Sequence, residues 1–443
     1  MRLSRLIHLD SLVTTAGWWV ATRLLVLSFW MGPENYVRGD VDYYFDRMRM
    51  LFTGASPAGI LTEYPTPVLW LLSLPYAISR GDQTAFLAAF MILLLALDAT
   101  ILLLLRRTAR RTGADLNAAG WMWIAFVVFM GPIVYLRLDL LTAGCMVLAV
   151  VALGKPLAGA MAGAGAAIKL WPALMWPATM TDRRQAFRST IAFLATGGVL
   201  AAASWAWAGW DRLVSPLSWQ GDRGLQIESL WATPAMLAHL GDPASYPIGM
   251  SRYQAFEVSG PMVAPLLAAS SWGTIVGVGI LIGLYALWLR RDDRTPVGAG
   301  MLMIAATLIM IVTNKTFSPQ YLIWLGGPLA AVLALVPKAD GVWTSISATV
   351  PTRGDAAAVS RRTASAPNRL LGWTALWTLV LTAATQVVYP LGYSYLIGYA
   401  DGPLAIPMFV LLVARNAGLA CLTVWFIVVL ARMLLRPTEP VDQ

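Results

Sequence analysis

The sequence predicts an all-α, polytopic membrane protein. Of its 443 residues, 58% are hydrophobic and only 12% are charged, and the mean hydropathy is +0.65. Soluble domains carry about 25% charged residues, so this composition excludes a soluble globular enzyme. It also excludes a disordered chain and a nucleic-acid scaffold, in spite of the net charge of +9.

The few cysteines and histidines restrict the chemistry further. Cys145 and Cys421 lie within apolar runs, and the histidines are limited to His8 and His239. We therefore expect no disulfide framework, no metal site built on cysteine or histidine, and no catalytic triad centred on histidine. Residues 1–11 are polar and the first apolar run continues to full span length, so we expect no cleavable signal peptide.

The apolar runs predict about 12 transmembrane helices, because a spanning helix needs about 20 mostly apolar residues. Runs of roughly that length lie near 12–31, 85–106, 189–209, 266–289, 296–314, 370–389 and 404–431. Shorter runs lie near 117–134, 138–153, 157–170, 171–181 and 320–336.

Segment 66–79 is apolar but too short to span, so we interpret it as a helix on the membrane surface. With this choice, 20 of the 32 basic residues fall on the cytoplasmic side and 10 on the outer side. The positive-inside rule favours that arrangement. The sequence therefore predicts a plasma-membrane protein with both termini cytoplasmic.

The connections predict the domain organisation. Residues 1–336 form a membrane module with two long outer loops, 32–84 and 210–265. Residues 337–369 are rich in Ala, Ser, Thr and Arg and predict a flexible cytoplasmic linker, and residues 370–443 add further membrane helices and a short tail. Because unusual residues and length concentrate in the outer loops, we expect an active site that faces the exterior or periplasm.

The first outer loop contains two carboxylates, Asp40 and Asp42, next to Tyr43 and Tyr44. Carboxylates at a bilayer surface lose part of their hydration, which raises the pKa and suits a general base. The aromatic rings suit a sugar or an amphiphilic substrate. The same pattern is also typical of an acidic helix start with Asp40 as the N-cap.

Other polar residues lie near the ends of predicted spans. Glu63 and Tyr64 precede the surface helix, and Arg137 and Asp139 lie between two apolar runs. Ionisable residues at membrane depth are functional candidates, although Arg137 and Asp139 could equally pair at a helix junction. Lys169 could meet a phosphate or anchor a helix end at the interface.

The second outer loop is dense in groups that bind sugars. Planar polar side chains can hold vicinal hydroxyls while an aromatic ring stacks on the apolar face of the sugar. The candidate residues are Trp219, Asp222, Arg223, Gln226 and Glu228. An ordinary solvated loop is the alternative.

A short outer turn near residue 315 completes the set of candidates. Lys315 offers a point charge for a phosphate, and Gln320 and Tyr321 begin the next helix. No Gly-rich nucleotide loop occurs, and the Asp-x-Asp pattern faces away from the cytoplasm. A soluble nucleotide sugar is therefore not the expected donor.

Together these residues resemble the C-type membrane glycosyltransferases, specifically glycosyltransferase family 87 of actinobacteria. That family includes mycobacterial polyprenyl-phosphate-mannose-dependent α-mannosyltransferases and an arabinofuranosyltransferase. The resemblance extends from about residue 12 to about residue 335. The motifs that carry it are Gly39–Tyr44, Glu63–Pro65, Arg137–Asp139, Lys169–Pro172 and Phe317–Leu322.

The resemblance implies the C-type fold, whose long outer loops carry short interfacial helices, and an inverting transfer of a sugar from a polyprenyl-phosphate donor. It implies mannose as the sugar, a lipid-linked glycan as the acceptor, and an Asp general base. Asp40 aligns best with that base, and Asp42 remains the alternative. We expect no cofactor, leave a divalent metal open, and expect a monomer among membrane lipids with no nucleic-acid partner.

Two alternative functions remain at this point. The first is arabinofuranosyl transfer to cell-wall arabinan by the same mechanism, which the sequence does not separate from mannosyl transfer. The second is a secondary transporter or lipid flippase. Transporters usually have internal repeats and ionisable residues at the midplane, whereas this sequence has no convincing repeat and its polar residues cluster at one face.

Overall fold

The computed structural model describes residues 8–31, 35–337 and 366–436, and helices dominate them. The α-helices are α1 Leu12–Met31, α2 Gly39–Phe52, α3 Pro67–Ser79, α4 Gln83–Thr112, α5 Leu116–Met130, α6 Asp139–Val151, α7 Pro156–Ala166, α8 Arg183–Ala208, α9 Trp210–Gly221, α10 Thr233–Gly241, α11 Val263–Leu289, α12 Pro296–Thr313, α13 Ile323–Leu333, α14 Ala366–Gln386, α15 Tyr393–Leu396 and α16 Ala405–Leu435.

Shorter elements join these helices. The 3₁₀ segments are Asn35–Arg38, Pro57–Gly59, Gly131–Tyr135, Trp171–Thr179, Leu230–Ala232 and Pro319–Leu322, and a π-type turn covers Val387–Leu391. The strands are β1 Leu225–Gln226, β2 Ile248–Met250 and β3 Phe256–Val258.

Within the described ranges, eight helices are long and apolar enough to cross a membrane. They are α1, α4, α5 with the turn that follows it, α8, α11, α12, α14 with its following turn, and α16. The four remaining predicted runs are helical but shorter: α6, α7, the 3₁₀ segment at 171–179 and α13. The chain is therefore a helical multi-pass membrane protein, as predicted, and whether the four short segments cross the bilayer stays a prediction.

Local sequence signals set the helix ends. The Asp82 carboxylate accepts a hydrogen bond from the backbone N–H of Ala85 at 2.7 Å and caps α4. That helix ends at Gly113, whose φ of +69° suits glycine. Thr295 caps α12, and Pro296 occupies its first turn, where no backbone donor is needed.

Contacts between connecting segments define two ends of the bundle. At one end, Arg110 donates to the carbonyl of Asp10 at 2.8 Å, and Thr112 donates to the carbonyl of Ala334 at 2.7 Å. At the opposite end, which we call the loop end, residues 35–66 meet residues 210–262. The grouping of connections agrees with the predicted topology, and the direction in which the loop end faces stays a prediction.

The surface helix α3 starts and finishes at the loop end. The ring of Tyr76 in α3 packs on the ring of Phe45 in α2, with the ring centroids 5.8 Å apart. Directly after α3, the side chain of Gln83 donates to Asp42 of α2 at 2.8 Å. The end of α3 and the residues just after it therefore lie against α2. That α3 lies on the membrane surface stays a prediction.

The second long loop contains a small sheet that the sequence did not predict. Its strands pair antiparallel in the order β1-β3-β2, with Leu225 opposite Val258. Leu225 and Val258 are buried in one cluster with Phe409 and Leu412 of α16. The loop therefore packs on the C-terminal helices. The predicted linker 337–369 lies largely outside the described residues.

A buried carboxylate joins α1, α4 and α5. Asp98 is fully buried and forms an ion pair with Arg23 at 2.8 Å. It also accepts hydrogen bonds from the indoles of Trp19 and Trp123 and from the hydroxyl of Tyr135, each at 2.7 Å. Asp98 therefore pairs across the bundle with Arg23 of α1.

Candidate active site at the loop end

Asp40 lies in the first turn of α2 and lines a small cavity of about 110 Å³. Arg38 occupies the N-cap position, and no side chain caps this helix. The alternative that Asp40 is the N-cap is therefore wrong. Tyr43 and Tyr44 line the same cavity, so the structure brings these two residues of the first loop together with Asp40.

An ion pair holds the carboxylate of Asp40. The Nε of Arg137 lies 2.7 Å from Oδ2 of Asp40. The Nη1 of Arg137 donates to the carbonyls of Val37 and Leu136, both at 2.9 Å. Because Arg137 is buried and bonds both to Val37, just before α2, and to Leu136, it fixes the start of α2 relative to the bundle.

The electrostatic surroundings tune Asp40 as a proton acceptor. Burial raises the pKa of its carboxyl above the ordinary value of 3.8, and the negative charge of Asp139 acts in the same direction. The positive charges of Arg137 and Lys169 oppose this shift. A carboxylate with a raised pKa is a stronger base toward a hydroxyl proton.

Asp42 points away from the cavity. Its carboxylate lies 3.2 Å from the Nε of Arg38 and accepts a hydrogen bond from Gln83. It lines neither cavity at the loop end. The placement of Asp42 therefore favours Asp40 over the alternative base Asp42, since residues two apart on a helix do not share a face.

Lys169 is held beside the cavity by a carboxylate and aromatic rings. Its Nζ donates to Oδ1 of Asp139 at 2.7 Å, and the indole of Trp324 donates to the same oxygen at 2.6 Å. The Nζ also lies 5.6 Å from the ring centroid of Tyr64 and 5.5 Å from that of Tyr321. Asp139 therefore pairs with Lys169 and not with Arg137, which was the other possibility.

Glu63 presents a buried carboxyl next to Tyr43. Burial raises the pKa of Glu63 above its ordinary value, and burial together with the charge of Glu63 raises the pKa of Tyr43 to about 12. Oε2 of Glu63 is buried and has no hydrogen-bond partner among the described residues. A ligand hydroxyl in this position would satisfy that oxygen.

A larger cavity of about 560 Å³ adjoins the small one. The two share four lining residues: Glu63, Lys169, Gln220 and Tyr321. One wall of the larger cavity comes from α11, where Ile275 is 59% exposed at the surface of the bundle. Other walls come from α9, α12 and the Lys315 turn. The two cavities therefore adjoin, with Asp40 lining the small one and the exposed helix α11 lining the larger one.

The second loop supplies an aromatic wall for the small cavity. Trp219 and Tyr253 pack edge to face with ring centroids 5.0 Å apart. The guanidinium of Arg223 lies 5.9 Å from the ring centroid of Tyr253. Trp219 and Arg223, two of the predicted sugar-binding residues, therefore line the small cavity. Asp222 was predicted to bind sugar as well, but its exposed side chain lies 3.7 Å from Arg252 and lines neither cavity.

Gln226 and Glu228 lie behind the cavity wall. The Oε1 of Gln226 accepts a hydrogen bond from the backbone N–H of Phe317 at 2.7 Å. Glu228 is buried 3.6 Å from Arg415, and burial raises its pKa to about 7 against the opposing charge of Arg415. Both side chains were predicted to contact substrate, but neither lines a cavity. Gln226 instead bonds to the 315–317 turn, and Glu228 pairs with Arg415.

Lys315 lines the larger cavity and donates to the carbonyl of Gly221 at 2.8 Å. Burial and the nearby charge of Arg223 lower the pKa of Lys315. Gln320 lines the small cavity, and Tyr321 lines both. Among the residues the structure describes, no cluster of three or more His, Cys, Asp or Glu side chains could hold a metal ion.

The lining residues that the sequence analysis did not single out include Trp324, Gln220 and Tyr253. Trp324 bonds to Asp139 and stacks on Tyr321 with centroids 4.0 Å apart. Its position three residues after Tyr321 on a helix could have indicated the shared face. Gln220 follows Trp219 directly. Tyr253 lies in a loop whose position depends on the small sheet, so no local signal indicated it.

The comparisons with known proteins show the family to which the chain belongs. The profile of glycosyltransferase family 87 matches residues 62–319, which is more than half of the chain. No match was found among curated proteins. Among solved structures, "ArnT from Cupriavidus metallidurans bound to undecaprenyl phosphate" is similar at 12% identity and a TM-score of 0.43, covering 95% of this chain and 78% of that one.

The matched segment contains Glu63, Lys169, Arg223 and Lys315, whereas Asp40 lies before it. The resemblance inferred from the short motifs is confirmed by this match. The chain belongs to glycosyltransferase family 87.

Proposed function

We propose that the protein transfers a sugar from a polyprenyl-phosphate donor to a lipid-linked glycan acceptor on the outer face of the plasma membrane. One observation carries this proposal: two adjoining cavities share Lys169 and Glu63, and they place Asp40 at one end and the exposed wall of α11 at the other. A carboxylate base, two lysines and an exposed apolar helix therefore line two adjoining cavities.

The larger cavity suits the donor. A prenyl chain is apolar and would leave the cavity along α11, where Ile275 is exposed. Its phosphate would lie near Lys169 and Lys315, which both line this cavity. Charge-assisted hydrogen bonds from these lysines would stabilise the charge that develops on the leaving phosphate.

The small cavity suits the reacting groups. The carboxylate of Asp40 would take the proton from the acceptor hydroxyl, and the resulting oxygen nucleophile would attack the anomeric carbon. The bond from that carbon to the phosphate oxygen would break, and polyprenyl phosphate would leave. The carboxylate oxygen of Glu63 that has no partner within the described ranges would accept a hydrogen bond from a sugar hydroxyl. The rings of Trp219 and Tyr253 would stack on the apolar face of the sugar.

Mannose is the proposed sugar, which rests on the family resemblance of the motifs, and arabinofuranose is the competing one. The test uses the purified protein in proteoliposomes with a lipid extract as the acceptor. Radiolabelled polyprenyl-phosphate mannose and radiolabelled polyprenyl-phosphate arabinofuranose are supplied as donors in parallel reactions, and transfer of the label to lipid is measured. We expect labelled glycolipid from the mannose donor and none from a nucleotide-mannose donor. Labelling from nucleotide-mannose alone would reject the polyprenyl-phosphate donor.

The proposed orientation leads to a labelling prediction. In a variant with Cys145→Ala and Cys421→Ala, we expect Ala58→Cys at the loop end to react with an impermeant maleimide in intact cells. Asp292→Cys, exposed in the connection between α11 and α12, should react only after permeabilisation. The reverse pattern would place the active site on the cytoplasmic face.

A further inference from the structure

The C-terminal helix α16 reaches the candidate site from outside the segment that matches the family. Arg415 of α16 is fully buried. Its Nη2 donates to the carbonyl of Glu228 at 3.2 Å and lies 3.6 Å from the carboxylate of the same residue. Its guanidinium also lies 4.6 Å from the ring centroid of Phe317. Arg415 therefore contacts both the second loop and the turn that follows Lys315.

Strand β1 links the segment that Arg415 contacts to the Lys315 turn. The side chain of Gln226, two residues before Glu228, accepts from the backbone of Phe317. The backbone N–H of Gln226 donates to the carbonyl of Lys315 at 3.3 Å. Both sides of the Lys315 turn are thus attached to the segment that Arg415 holds.

The hydrogen bonding of Arg415 differs from that of a purely stabilising charge. The Asp98 cluster satisfies both carboxylate oxygens with several donors. By contrast, Nε and Nη1 of Arg415 are buried with no hydrogen-bond partner among the described residues. A buried charge whose hydrogen bonds are incomplete costs stability. Residues of this kind are expected at functional sites, where the placement of a side chain is retained at the cost of stability.

We propose that Arg415 is a positioning residue that sets Lys315 for the phosphate of the donor, acting through Glu228 and Phe317. This inference rests on the proposed function, because Lys315 is taken to contact the donor phosphate. Arg415 itself lines neither cavity, so it contacts no substrate. Its effect must therefore pass through the Lys315 turn.

The first test measures steady-state kinetics of Arg415→Gln in proteoliposomes, with donor and acceptor varied separately. We expect the donor KM to rise by about 10-fold or more, as for loss of one partner of a buried charge pair. The acceptor KM should change by less than about twofold, since acceptor contacts are retained. Thr423→Val is the matched control. Thr423 is buried on the same helix, and within the described ranges its hydroxyl bonds only to the carbonyl of Leu419.

A double-mutant cycle with Lys315→Ala separates positioning from general damage. If Arg415 acts through Lys315, Arg415→Gln should have little further effect on the donor KM in the Lys315→Ala protein. Additive effects, or equal rises of the donor and acceptor KM, would overturn the proposal. If Arg415→Gln does not fold, Phe317→Leu serves instead, because it removes the ring contact and keeps an apolar side chain.

Binding of polyprenyl phosphate without acceptor separates this inference from the proposed function. If the wild-type protein neither binds polyprenyl phosphate nor transfers the sugar, the proposed function fails. If the wild-type protein does both and Arg415→Gln binds the lipid equally well, the proposed function stands and the role of Arg415 is rejected.

Discussion

Asp40→Asn should reduce the rate of sugar transfer by about 10²–10⁴-fold, the usual effect of losing a positioned general base. Asn has nearly the same shape but cannot accept the proton of the acceptor hydroxyl at neutral pH. Binding of polyprenyl phosphate should persist, since the cations that line the larger cavity are unchanged. Single-turnover transfer and lipid binding, measured on the same preparation, check this result.

Asp42→Asn is the matched control for that substitution. Asp42 lies on the same helix, but its carboxylate faces Arg38 and Gln83 outside the cavities. We expect this variant to keep most of the transfer rate. If Asp42→Asn were inactive while Asp40→Asn retained activity, the base would be Asp42, and the orientation of α2 would have to differ during the reaction.

Asp98→Asn should destabilise the protein by about 3–5 kcal/mol, because removing one partner of a buried pair leaves the other charge uncompensated. Arg23 would then lie buried without its counter-ion, among the indoles of Trp19 and Trp123. The loss should appear as a lower melting temperature in detergent.

The control for this prediction is Asp46→Asn. Asp46 forms an exposed pair with Arg49 at 3.1 Å, and exposed pairs contribute about 0–1 kcal/mol. Equal melting temperatures for the Asp98→Asn and Asp46→Asn proteins would show that the Asp98 cluster does not carry the expected stability.

The membrane helices could be predicted because hydrophobicity over 20 residues is a local property. The helix α3 could be predicted as well; its short length and the positions of the arginines favoured a segment that does not cross, and that placement stays a prediction. The strands β1, β2 and β3 could not, because each has only two or three residues and gives no periodic signal.

The composition of the candidate site was partly predictable. The residue types that carry the proposed chemistry, such as Asp40, Lys169 and Lys315, were visible in the sequence. Their partners were not, since Arg137 reaches Asp40 and Arg415 reaches Glu228 only after the helices have packed. The choice between Asp40 and Asp42 needed the start of α2, because the two residues face different sides once they are helical.

The prediction for Asp222 and Glu228 shows the same limit. Both are acidic residues of one loop, and their spacing did not separate the exposed residue from the buried one. The small sheet decides their placement: β1 turns Gln226 toward the Lys315 turn, while Asp222 stays outside near Arg252. Sheet pairing between distant segments therefore determined which of these polar residues is buried and which is exposed.

The anomeric configuration of the product tests most directly whether Asp40 activates the acceptor for a single displacement on a polyprenyl-phosphate sugar. The measurement uses a β-linked donor of defined configuration, reconstituted wild-type protein and NMR of the purified glycolipid. The account predicts an α-linked product that requires Asp40. A β-linked product would show retention of configuration and would contradict direct attack by the acceptor hydroxyl.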